Sequence, residues 1–138
     1  VTDDVKAKLK ADFAAGFCDD AQTKAVIKEI YDKYSYTLDT HTAVAVKVYE
    51  DYKKATGDNT KTVIASTASP YKFSTAVLEA IEGKVSDMDE FDKVERLHEV
   101  SGYDVPKSLA ELKNKPIRFT GAIGRDEMKD FVLKSLSL

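Results

Sequence analysis

Thr62-Val63-Ile64-Ala65-Ser66-Thr67-Ala68-Ser69-Pro70 is the stretch on which the fold class turns. Its first four residues form a short, nearly unbroken apolar run. They are β-branched at the start and follow the turn signal Gly57-Asp58-Asn59, which is the pattern of a buried strand rather than of a helix face. A proline then ends the stretch, and a helix is expected after it. Open α/β sheets place their ligands in loops between the carboxyl end of a strand and the next helix. Ser66, Thr67 and Ser69 supply neutral hydroxyls there that serve as donor or acceptor, suited to a ring nitrogen or a phosphate oxygen. The alternative is a plain connection whose hydroxyls satisfy their own backbone.

Outward from that loop the period is helical. In 19–34, Val26, Ile27, Ile30, Tyr31 and Tyr34 share one face, and Asp19 and Gln22 are spaced as a capping pair. Val44, Val48 and Tyr52 form a second stripe that runs to the turn at Gly57. On the other side, Ser74 is placed to cap a helix holding Val77, Leu78 and Ile81 and stopped by Gly83. Ser86 is placed to cap one holding Phe91, Val94 and Leu97 and ended near Gly102. Pro106 suits the first turn of a helix before Leu109 and Leu112. The stretch 116–120 reads as a short edge strand, and Met128, Phe131, Val132 and Leu136 form the stripe of a closing helix. About six helices and few strands result, a helix-rich α/β fragment rather than an independent doubly wound sheet.

The 138 residues fit one compact domain, and two full-sized domains are excluded. With 21 basic and 24 acidic side chains the formal net charge is -3, so no overall positive field draws in phosphate backbones or anionic lipid, and neither nucleic acid nor a membrane is expected as a partner. No apolar run approaches the roughly 20 residues that cross a bilayer, and the amino end lacks the hydrophobic core of a secretory signal. One cysteine, Cys18, closes no internal disulfide, and a reducing, cytoplasmic setting is the expectation. A chain opening on Val1 rather than Met is expected of a piece cut from something longer; trimming of an end would look the same.

The remaining chemistry-bearing residues have weaker contexts. His41 stands beside Asp39 and Thr42 at a helix start, either oriented toward a ligand or merely next to a cap supplied by Asp39 or Thr40. Cys18 beside Asp19 and Asp20 is a poor thiolate nucleophile. His98 lies on an acidic helix and reads as a surface residue. The cluster Asp87, Asp89, Glu90 and Asp92 lacks the glycine and glutamate of a calcium loop and reads as a solvated helix start. Gly121 and Gly124 ahead of Arg125 offer a weak anion cradle, and a phosphate-sensing domain using Gly124, Arg125 and Ser69 ranks last among the readings.

Two longer strings carry a resemblance. Leu38-Asp39-Thr40-His41-Thr42-Ala43-Val44-Ala45, followed by Val63-Ile64-Ala65-Ser66-Thr67-Ala68-Ser69-Pro70-Tyr71-Lys72-Phe73, resembles the carboxyl-terminal region of the threonine synthase family. The turn at 18–21 and the Val-Pro-x-x-Leu-x-Glu-Leu element at 105–112 fall in matching order. Thr40 stands where that family usually has proline, and Ser69 where it frequently has histidine.

The resemblance implies a pyridoxal 5'-phosphate enzyme of fold type II, with a tryptophan-synthase β-like sheet, that turns O-phosphohomoserine and water into threonine and phosphate. It implies that Thr67, with Ser66 beside it, faces the cofactor's pyridine nitrogen. It also implies that the Schiff-base lysine and phosphate loop belong to an amino-terminal part outside these residues, so that Lys72 is not that lysine. The expectation is therefore an inactive carboxyl-terminal piece of a lyase, with the amino-terminal part of the same chain as its partner. The competing expectation is a small helical module that docks a protein partner and has no catalytic activity.

Overall fold

The computed structural model describes residues 1–85 and 87–138. They divide into two compact units, Val1–Pro106 and Lys107–Leu138.

The first unit holds α1 (Asp3–Asp12), α2 (Asp20–Tyr34), α3 (Thr40–Thr56), α4 (Ser74–Glu82) and α5 (Glu90–Ser101). Helix α2 packs on both α3 and α4, and α4 packs on α5. Ile27, Ala43, Val77, Leu78 and Leu97 are fully buried between them, each of the larger ones removing about 1.5–3 kcal/mol worth of apolar surface from water.

Local chemistry sets the ends. Asp19 accepts from the Gln22 backbone at 2.8 Å while the Gln22 side chain accepts from the Asp19 backbone at 3.0 Å, completing the expected capping box. Asp39 caps α3 and Asp89 caps α5. Glu90 and Asp92 fall in the first turn of α5, where negative charge meets the positive end of the helix. Gly57 and Gly102 close α3 and α5 in the left-handed region, both at φ 70°, which glycine adopts without penalty.

Three details differ from expectation. Helix α1 is an additional element, capped by Thr2 with Asp3 and Asp4 in its first turn, yet it buries no residue. Ser74 does not cap α4: it is the first helical residue, and its hydroxyl donates to the Tyr71 carbonyl at 2.8 Å. Ser86, expected to cap α5, lies outside the described residues; the observed cap is Asp89.

The larger correction concerns the sheet. The described residues contain no strand, so the α/β fragment of a type II fold is replaced by a helical one. Neither expected strand forms among the described residues: Val63 is 91% exposed, and Ile117 and Phe119 are each 81% exposed. β-Propensity is a preference for a pleated, half-buried surface. Where no neighbouring strand completes the ladder, a run such as 62–65 does not become a strand.

In the second unit, α6 (Lys107–Ala110) follows Pro106, and a 3₁₀ turn at Arg125–Glu127 leads into α7 (Met128–Ser135). No residue of this unit is buried, and Met128, Phe131 and Val132 of α7 and Leu136 just after it are all exposed. Among the described residues no helix is long and apolar enough to cross a membrane.

Candidate functional site

The hydroxyl loop joins the end of α3 to α4. Ser69 caps the single 3₁₀ turn Pro70–Phe73, its side chain accepting from the Tyr71 backbone at 3.3 Å, so this hydroxyl serves its own backbone. Thr67 is exposed, and its hydroxyl has no hydrogen-bond partner among the described residues. Ser66 turns back to α3, where its Oγ lies 3.0 Å from Thr42 Oγ1.

That contact joins two strings separated in sequence. Asp39, 1% exposed, accepts from the His41 and Thr42 backbones at 2.8 and 3.2 Å through Oδ1, and from the Thr42 hydroxyl through Oδ2. The His41 ring packs on Phe73 with centroids 4.9 Å apart, and its Nδ1 lies 3.6 Å from Asp39 Oδ1. The start of α3 therefore touches the hydroxyl loop at Ser66 and the turn after it at Phe73. Thr42 is the linking residue that sequence reasoning passed over. Its signal was a threonine three positions after a capping aspartate, where side chain and cap lie within reach.

Beside this junction a cavity of about 380 Å³ is lined by Cys18, Thr23, Lys24, His41, Val44 and Ala76. Three of its polar groups, Cys18, Thr23 and Lys24, are engaged. The Thr23 hydroxyl donates to the Asp19 carbonyl at 2.8 Å, so across the 3.2 Å to Thr23 Oγ1 the Cys18 thiol is the donor. Lys24 Nζ lies 2.6 Å from Glu79 Oε2, and this pairing holds the Glu79 carboxyl below the usual glutamate range.

A second hollow of about 380 Å³ runs along α3, walled by Ala45, Val48, Tyr49 and Tyr52 on one side and by Val63 and Ile64 on the other. The chain before α2 crosses α3 closely at Gly16, where an added Cβ would come within 2.9 Å of Val48 Cγ1.

The other candidates are structural. His98 Nδ1 lies 2.6 Å from the Tyr103 carbonyl, which only accepts, so that nitrogen carries the hydrogen. The Tyr71 hydroxyl donates to the same carbonyl. The Gly124 backbone amide donates to Glu127 Oε2 at 2.7 Å, so the suggested anion cradle is filled by the chain's own carboxylate. Lys72 Nζ sits 5.7 Å from the Phe73 ring centroid. Among the described residues no three His, Cys, Asp or Glu side chains are grouped to hold a metal.

For pyridoxal 5'-phosphate the donor set fits one contact: the unengaged Thr67 hydroxyl matches a ring nitrogen. The fit is to an edge of the ring and goes no further.

The family model described as "Threonine synthase, C-terminal" matches residues 42–132, well over half of the chain. This chain belongs to that family. Over 83 residues it is 35% identical to the human threonine synthase-like 1, covering 60% of this chain and 10% of that protein. Over 84 residues it is 38% identical to threonine synthase-like 1 of Macaca fascicularis, with the same coverage. Over 72 residues it is 35% identical to the threonine synthase of Methylobacillus glycogenes, covering 52% of this chain and 14% of that protein. The chain thus spans about a tenth of the length of the first of these relatives.

Family membership does not bring the expected enzyme with it. The resemblance implied a piece of a sheet-containing, pyridoxal-phosphate-dependent carbon-oxygen lyase. Among the described residues there is no strand or sheet, and no grouping of His, Cys, Asp or Glu that could hold a metal ion. The expectation of a threonine synthase fragment with lyase identity is corrected to a helical unit of the C-terminal family, and the helical-module alternative fits the architecture better.

Proposed function

We propose that this chain is a small helical interaction module without catalytic activity of its own, and that its partner is the amino-terminal part of a longer polypeptide. The observation that carries the reading is the apolar hollow along α3. Val63 forms one wall of it at 91% exposure, in a run outside any helix or strand whose backbone groups have no partners among the described residues. Exposed apolar surface flanked by free backbone donors and acceptors is a template for a docking segment. The match to only about a tenth of the human relative supports a partner in the same polypeptide. Pyridoxal 5'-phosphate and O-phosphohomoserine, where they bind, belong to that longer polypeptide, with Thr67 and Ser66 presented to the cofactor as a wall. The free Cys18 thiol is in keeping with a cytoplasmic setting.

The test is calorimetric titration of the segment encoded upstream of Val1, produced separately, onto the 138 residues. Saturable binding that Val63→Asp weakens about tenfold or more, about 1.4 kcal/mol, is expected. Binding indifferent to Val63→Asp overturns the hollow as the interface. An absence of heat, or a reading frame that opens at Val1, overturns the partner. Phosphate release from O-phosphohomoserine by these residues with added cofactor is expected to be nil, and measurable release would overturn the non-catalytic reading.

A further inference from the structure

We infer that the Asp39 carboxylate fixes the direction of a hydroxyl chain through Thr42, so that Ser66 meets any ligand only as an acceptor and Thr67 alone of the pair is free to donate. The inference rests on the proposed reading of Ser66 and Thr67 as a ligand-facing wall and divides the labour between them.

The argument is one of counting protons. A carboxylate has only lone pairs to offer, and a threonine hydroxyl has a single proton. Asp39 Oδ1 is occupied by the His41 and Thr42 amides, and Oδ2 takes the Thr42 hydroxyl proton. Thr42 then has none left for Ser66, and across the 3.0 Å between the two oxygens the donor must be Ser66. The Ser66 proton is committed inward, toward a buried group, and only its lone pairs face outward. Thr67 next to it carries no such commitment. A neutral ring nitrogen, which only accepts, is therefore matched by Thr67 and mismatched by Ser66; a ligand N–H or O–H is what Ser66 recognises. Thr42 is a positioning residue that acts through Ser66.

Neutron diffraction on deuterium-exchanged crystals of the chain reads the chain of protons directly. Deuterons are expected on Ser66 Oγ toward Thr42 Oγ1 and on Thr42 Oγ1 toward Asp39 Oδ2. A deuteron on Asp39 Oδ2, or a Ser66 deuteron turned away from Thr42, overturns the inference. In solution, backbone amide shifts are followed as pyridine, an acceptor only, or pyrrole, a donor only, is added. Pyridine is expected to move Thr67, and the response is lost in Thr67→Val and kept in Ser66→Ala. Pyrrole is expected to move Ser66. Thr42→Val releases the Ser66 hydroxyl and should create a pyridine response at Ser66, whereas Thr42→Ser should not. A saturable pyridine response at Ser66 in the unaltered chain overturns the acceptor-only assignment while leaving the loop a ligand wall. Silence of both residues toward both probes overturns the ligand-wall reading, and with it the inference drawn from it.

Discussion

The Tyr31 hydroxyl of α2 donates to the Val100 carbonyl of α5 at 3.0 Å, across 69 residues of sequence. Val100 lies in the last turn of α5, where carbonyls have no partner within the helix. The side chain of one helix thus completes the end of another. Tyr31→Phe removes this bond and leaves the carbonyl to water, and a loss of about 1 kcal/mol is expected. The check is the urea midpoint at unchanged slope; an unaltered midpoint shows that Val100 does not depend on Tyr31.

Thr37 carries the opposite lesson. Its hydroxyl is buried, with no hydrogen-bond partner among the described residues, and the side chain is 2% exposed. Thr37→Val keeps the shape and removes the orphaned group, so stability is expected to rise by about 1 kcal/mol. The backbone amide, which donates to the Tyr103 hydroxyl at 3.3 Å, is untouched by the change. Thermal unfolding at a lower temperature for the variant would contradict this reading.

Tyr71 gives the chain an alkaline limit. Burial pushes its hydroxyl above the usual tyrosine value, with the Ser101 side chain pulling the other way and Asp104 adding to the rise. The folded state therefore holds this proton to higher pH than the unfolded state does. The stabilisation is complete below about pH 10 and is lost as pH rises through the folded value. In a series of denaturant titrations between pH 9 and 12, Tyr71→Phe is expected to flatten the decline. An equally steep decline in both proteins would assign it elsewhere.

Glu79 sets an acid dependence of opposite sign. Its pairing with Lys24 depresses the carboxyl, so the unfolded state binds the proton first. The contribution is present above about pH 4.5 and is lost as pH falls through the depressed folded value. Because both side chains are partly exposed, the effect is expected to shrink with added salt. Glu79→Gln should remove that salt dependence, measured as the change in unfolding midpoint between low and high sodium chloride at pH 6. Retention of the full dependence would separate it from this pair.

How far the molecule was legible follows from the range of its interactions. Asp19 with Gln22, Asp39 with α3, and Gly57 at the end of that helix were readable because each cap joins residues a few positions apart. The same local logic misassigned Ser74, where the Tyr71 carbonyl competed for the hydroxyl and won. Helix α1 escaped notice because it buries nothing and its apolar stripe is short. At the candidate site, the three hydroxyls of the loop were visible in the string. Their fates were not: Ser69 turns to its own backbone, Ser66 to Thr42, and Thr67 to neither.

Sequence by itself determined the four packed helices of the first unit, α2 to α5, most of their ends, and the family to which the chain belongs. Those rest on periodic apolar stripes and on hydrogen bonds within one helical turn. Tertiary structure alone decided that 62–65 lies unpaired beside α3, and that Ser66 comes to rest against Thr42, 24 positions earlier in the chain, whose hydroxyl in turn meets the buried Asp39 carboxylate. A ladder or a hydroxyl chain exists only when distant segments become neighbours, and a segment's own residues state its preference without supplying its partner.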